Sequence, residues 1–234
     1  MRLFIHCLFV FFIVQNLYSQ KSDLKMDPNY FLLGTFSDYI GRSQFSAQKD
    51  AIERYFPQEK ALVNYLNSML KENNIEFKID SIRNGKENYI TQLKDLKLNV
   101  KLNSFYNFDS FDLTYPKRDT IFKGKLKKDI FFNDTQKYSF IAGVYSRYGE
   151  EQKGNLYGIR MHNSVNKISV ILKVLEDLDA SEINYEIIKN IPTNHLVYFK
   201  PNDELKKYLD EVASIKDEIR LNLKRRFQKD SKKQ

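Results

Sequence analysis

Arg160 and His162 lie two residues apart and are followed at once by Asn163 and Ser164. On a strand, residues at that spacing point to the same side. Asn and Ser are residues that open helices, and a helix starting there would aim its free N–H groups past the strand end. A guanidinium, an imidazole and a helix N-terminus meeting at one place would hold an anion such as phosphate or carboxylate. Strand ends of this kind are also where ligands of α/β sheets gather. A second patch, Tyr145, Ser146, Arg147 and Tyr148 before Gly149, sets an arginine among tyrosines. If its strand formed a hairpin with that of Arg160, Arg147 and Tyr148 would join the same anion site. Plain structural roles exist for all six candidates: Asn and Ser cap helices, and arginine stacks on tyrosine in packed surfaces.

Other chemistries find less support. Beyond residue 20 the chain holds two histidines, His162 and His195, and no cysteine. A zinc–thiolate or His-rich metal centre is therefore not expected, and no spacing signature completes a two-histidine site with a carboxylate. No glycine-flanked nucleophilic serine, phosphate-binding loop or dinucleotide fingerprint occurs, so no cofactor is expected. Asp109 and Asp112 stand among Phe105, Tyr106, Phe108, Phe111 and Tyr115, a combination that would suit a sugar or calcium site but lacks the calcium-loop pattern. Asp38 and Arg42, at i and i+4, read as a local ion pair if their segment is helical.

The N-terminus reads as a secretory signal over residues 1–20. Arg2 supplies positive charge, an apolar run follows to Val14, and a polar stretch ends near Ser19. The run falls short of the roughly 20 residues that span a bilayer. Its removal would take the only cysteine, Cys7, and leave a cysteine-free mature chain. The net charge is +8, but much of the excess is local: Lys224, Arg225, Arg226, Lys229, Lys232 and Lys233 face only Asp230 in that segment. Basic charge often marks a nucleic-acid or anionic-membrane partner, but an exported chain rarely meets nucleic acid, so none is expected.

The elements that must position these residues follow from periodicity. Leu62, Tyr65, Leu66, Met69 and Leu70 form a helical stripe behind Pro57, ending at Asn73 and Asn74. Residues 30–36 read as a short strand or packed entry segment, and Ser46 as the cap of a short helix reaching Tyr55. Leu96, Leu98, Val100 and Leu102 alternate with polar residues, as a half-buried strand does. Residues 138–148 and 156–162 read as neighbouring strands. A helix then carries Val165, Ile168, Ile171, Leu172 and Leu175, and strands follow at 184–189 and 195–199. The strand–helix–strand order predicts one βαβ crossover. Leu205, Tyr208, Val212, Ile215 and Ile219 mark a long C-terminal helix at about 202–230, acidic at its start and basic at its end.

No internal repeat or flexible linker is evident. The expectation is a single α+β domain over 21–234 with a mixed, mostly antiparallel sheet, N-terminal helices, one crossover helix and a long C-terminal helix. Its expected role is a non-catalytic, envelope-associated binding protein, secreted to the periplasm or the exterior, with no transmembrane span once the signal is cut. The partner would be a protein or a small anionic ligand, not nucleic acid, with self-association possible through the C-terminal helix. The alternative is a periplasmic hydrolase or transferase acting on an anionic substrate near Arg160 and His162.

Overall fold

A computed structural model describes residues 24–45, 48–84, 88–114 and 120–231. The chain is α+β, with a C-terminal helix of 29 residues, as its patterning implies. In order the elements are α1 (Pro28–Thr35), β1 (Arg42–Phe45), β2 (Ala51–Tyr55), α2 (Lys60–Glu72), β3 (Lys78–Asn84), β4 (Asn88–Lys94), α3 (Leu96–Asn103), β5 (Tyr106–Thr114) and β6 (Thr120–Leu126). The second part runs α4 (Asp134–Tyr148), β7 (Gly149–Lys153), β8 (Leu156–His162), α5 (Val165–Asp177), β9 (Ser181–Ile188), β10 (Asn194–Lys200) and α6 (Asp203–Ser231).

Three segments that read as strands are helices, and each is decided by its cap. Asp27 accepts from the backbone N–H groups of Asn29 and Tyr30 with Pro28 in the first turn, so residues 28–35 start as a helix. Asp95 accepts from Leu98 N at 2.6 Å. In α3 only Leu98 and Leu102 of the alternating set are buried, while Leu96 and Val100 are exposed: the period of two contained an i, i+4 pair. Asn133 accepts from Gln136 N and opens α4 across residues 138–148. Where a short helix was expected to reach Tyr55 the chain forms β2; Ser46, its expected cap, lies outside the described residues.

The strands make three sheets, ordered β1-β6-β5, β2-β4-β3 and β7-β8-β10-β9. Every pairing among the described residues is antiparallel. The expected crossover exists: α5 joins β8 to β9, which run parallel, but β10 lies between them and pairs with both.

The topology contains a repeat that the residues did not disclose. From α1 to α3, and again from α4 to α6, the order is helix, two strands, helix, two strands, helix. In each half the second strand lies beside the fourth and the fourth beside the third. In the second half the first strand flanks the second; in the first half β1 pairs instead with β6 of the added β5–β6 hairpin. The two leading helices, α1 and α4, pack face to face. Gly34 abuts the backbone of Phe140 and Val144, and Gly143 abuts that of Phe31, so a Cβ on either glycine would collide with the opposite helix. Phe31 precedes Gly34 by three residues as Phe140 precedes Gly143, so the contact is reciprocal. Tyr30–Leu33 and Phe140–Tyr145 are buried throughout, and one hydrophobic cluster extends from this pair to α2, α5, α6 and the sheets.

Candidate functional site

The helix pair ends in a buried cluster of charges. After α1 the chain turns sharply, with Asp38 (φ 42°), Ile40 (φ 56°) and Gly41 (φ 86°) in left-handed conformations. The turn leaves the last carbonyls of α1 pointing at Lys167 of α5. The Lys167 ammonium is fully buried and donates to Leu33 O (3.1 Å), Gly34 O (2.9 Å) and Phe36 O (2.5 Å), with Asp38 Oδ2 at 3.6 Å. A cation at a helix C-terminus meets both the free carbonyls and the negative end of the helix dipole. Burial pulls its pKa down to about 8, against the opposing pull of Asp38 and Glu53. Asp38 is itself buried, and its Oδ2 accepts from the Tyr106 hydroxyl at 2.9 Å.

Arg147, in the last turn of α4, occupies the matching place on the other helix. Its guanidinium donates to Glu59 Oε1 (2.7 Å), Glu59 Oε2 (3.1 Å), Thr35 O (2.6 Å) and Arg54 O (2.8 Å), and lies 3.6 Å from Glu53. Arg42 of β1 completes the set. It donates to Asn99 Oδ1 (3.1 Å) and Asn103 Oδ1 (3.2 Å), lies 3.6 Å from Glu53 and stacks on Phe36. Three cations thus meet three carboxylates, and all but Glu53 are buried. Beside the cluster opens a cavity of about 340 Å3, lined in part by Asp38, Glu53, Arg54, Phe56 and Lys123.

The residues expected to form one anion site fall into separate places. Arg147 and Tyr148 belong to the helix junction, where the Tyr148 hydroxyl reaches Thr35 O at 3.4 Å and burial holds its pKa well above the usual phenol value. Arg160 and His162 lie on the open face of the β7-β8-β10-β9 sheet. Arg160 donates through Nε to Glu150 at 2.8 Å. His162 is exposed; partial desolvation and then Arg160 lower its pKa. Asn163 (φ 47°) ties two loops together, donating to the Tyr39 hydroxyl (2.8 Å) and accepting from Thr193 N (3.1 Å). Ser164 opens α5, its hydroxyl turned to His162 O (2.8 Å) and Ser37 O (3.1 Å). The cavity lined by Arg147 includes none of Arg160, His162, Asn163 or Ser164.

Lys167, Glu53 and Glu59 were not singled out in the sequence. No local pattern marks them, because their partners come from other elements. Asp38 and Arg42 were read as a pair with each other, yet their segment is not helical, and each finds its charge partner elsewhere. His195 is buried beside Tyr185, whose hydroxyl lies 2.8 Å from Nδ1. The side chains of Asp109 and Asp112 lie outside the described residues.

No family model matches the chain, and no curated protein sequence does. Among solved structures it resembles mesophilic variants of the homing endonuclease I-DmoI, with a TM-score of 0.51, 15% identity, 80% of this chain and 95% of that chain covered. I-DmoI in complex with DNA and Ca aligns at TM-score 0.48 and 14% identity, over 76% of this chain and 85% of that one. Full-length DUF199/WhiA from Thermatoga maritima aligns at 0.46 and 15%, over 86% of this chain and 61% of that one.

The likeness to the I-DmoI variants is one of fold, and on it several expectations are corrected. The secreted, periplasmic or extracellular address, the envelope-bound binding role with its hydrolase or transferase alternative, and the exclusion of nucleic acid are withdrawn. Missing motifs, on which the binding role rested, say nothing of fold. The exported address rested on residues 1–20, which lie outside the described residues. The partner reading that accompanied them, including self-association through the C-terminal helix, is withdrawn with them. Among the described residues no helix is long and apolar enough to cross a membrane.

Among the described residues the junction offers a divalent metal ion no free cluster of carboxylates. Asp38, Glu53 and Glu59 are already faced by Lys167, Arg42 and Arg147, and among the described residues no three His, Cys, Asp or Glu side chains cluster to hold a metal.

Proposed function

We propose that this protein binds duplex DNA on the open faces of its sheets and does not cut it. The observation that carries the reading is a homing-endonuclease fold whose helix junction holds its acids in ion pairs. A carboxylate hydrogen-bonded to buried arginine or lysine is poor at gathering a divalent ion, because binding would strand the cation it already neutralises. The site holds the helices together and leaves recognition to the surface.

Binding draws support from charge and from the second sheet. The chain carries +8, and DNA affinity is dominated by neutralising phosphates. Register places Arg160 opposite the buried Leu196 and His162 opposite the buried Asn194. Lys153 lies over the Tyr198 ring at 4.1 Å nearby. In this reading Arg160, which Glu150 engages through Nε, keeps its terminal N–H groups for a backbone phosphate, with His162 beside it. Arg147 and Tyr148 position the helices instead.

Fluorescence anisotropy with a labelled duplex tests the binding, and a nicking assay with Mg2+ or Mn2+ tests the absence of cleavage. Affinity is expected to fall steeply as salt rises, with the duplex left intact. Arg160→Ala should weaken binding to all sequences alike and flatten the salt slope by about one unit, as loss of a phosphate contact does. No binding at low salt, or metal-dependent strand breaks, would overturn the reading.

A further inference from the structure

The cavity beside the charge cluster has more cationic groups than its own carboxylates use. Arg42 and Arg147 are engaged by Glu53 and Glu59. Arg54 and Lys123 also line the cavity; among the described residues neither forms a salt bridge, although the charge of Asp38 acts on Lys123. Arg54 donates to Gln48 Oε1 at 3.2 Å and Lys123 to Ser43 Oγ at 2.5 Å, both neutral acceptors. Phe56, 43% exposed, presents an aromatic ring at the same rim. Within, Asp38 is 4% exposed and its Oδ1 has no hydrogen-bond partner, because Tyr106 and Lys167 both address Oδ2. That oxygen is closed to solvent, so Asp38 gives the cavity its charge and not a free acceptor.

We infer that this cavity receives one unpaired nucleotide of the bound DNA, its phosphate at Arg54 and Lys123 and its base on Phe56. Together these residues describe a group with an anion and a flat ring. The cavity, about 340 Å3, falls within the range of pockets that bury small ligands. A base inside an intact duplex cannot reach it, since its faces are stacked and its edge is paired; a bulged or extruded nucleotide can. The inference rests on the DNA-binding reading and adds to it a preference for interrupted duplexes.

Two duplexes of otherwise identical sequence separate the two readings, one fully paired and one with 2-aminopurine as a single-nucleotide bulge. The bulged duplex is expected to bind about tenfold more tightly, within the range one stacked base supplies, with a change in 2-aminopurine fluorescence on binding. Phe56→Ala and Arg54→Gln, both at exposed positions, should abolish the preference and the fluorescence change and keep affinity for the paired duplex. Equal affinity for the two duplexes overturns the inference and leaves the DNA-binding reading standing. A preference that survives both substitutions overturns the assignment to this cavity. Failure to bind either duplex overturns both readings.

Discussion

Lys167 joins the two halves of the fold through one ammonium group. It projects from the second half and satisfies carbonyls at the end of the first half's leading helix. Lys167→Met would orphan those acceptors and leave Asp38 buried without its cation. Breaking a buried pair in this way costs about 3–5 kcal/mol, a loss that urea denaturation would read directly. Adding Asp38→Asn should recover part of it if the ion pair is the cause. The pH dependence has a definite sign. The folded pKa near 8 lies below the ordinary value of 10.5, so between these the unfolded chain binds more protons and stability rises with pH. Tyr55, Tyr106 and Tyr148 act the other way, since burial raises their pKa values. Above about pH 10 they ionise first in the unfolded chain and favour unfolding. Urea midpoints should therefore rise from about pH 8 toward 10 in the native protein, and Lys167→Met should remove that rise. None of this was legible in the residues around position 167. A lysine on an apolar helix reads as a solvated or snorkelling side chain, and only the turn after α1 brings it three carbonyls.

At the scale of elements, the α1–α4 contact admits nothing larger than hydrogen at two positions. Gly143→Ala would drive a methyl into the Phe31 carbonyl, and Gly34→Ala would do the same at Phe140. Overpacking costs typically about 1–3 kcal/mol where a core can shift. Here the obstacle is helix backbone, so a loss at or above the upper end is expected, seen as a lower thermal midpoint or an insoluble product. An unchanged midpoint would mean that the helices can move apart. The same contact explains why residues 138–148 were misread. A helix buried on nearly every side has no polar face, so it lacks the amphipathic period by which helices are recognised, and its aromatic and β-branched residues suggest a strand. Asn133, which caps this helix, is the one local signal of where it starts. The stripes of α2, α5 and α6 were readable because each of those helices keeps one face in water.

For the whole molecule, α6 is part of the core and not an appendage. Leu205, Tyr208, Leu209, Val212, Ile215 and Ile219 are buried in the shared cluster, so a chain ending at Lys200 should lose its cooperative unfolding transition. A chain ending at Leu223 keeps those contacts. It loses the exposed Lys224–Glu151 pair, which solvent and salt screen to little effect, and should melt close to the full-length protein. Near-ultraviolet circular dichroism would distinguish the two truncations. The sequence by itself determined the α+β class, the long terminal helix, the strand–helix–strand order of residues 156–188 and the chemical character of Arg160 and His162. These depend on local periodicity, caps and side-chain type. The tertiary structure alone decided that two halves repeat, that their leading helices touch backbone to backbone, and that Asp38, Arg42, Glu53, Glu59, Arg147 and Lys167 meet in one place. Those facts depend on residues brought together from distant parts of the chain, and no short-range pattern records them.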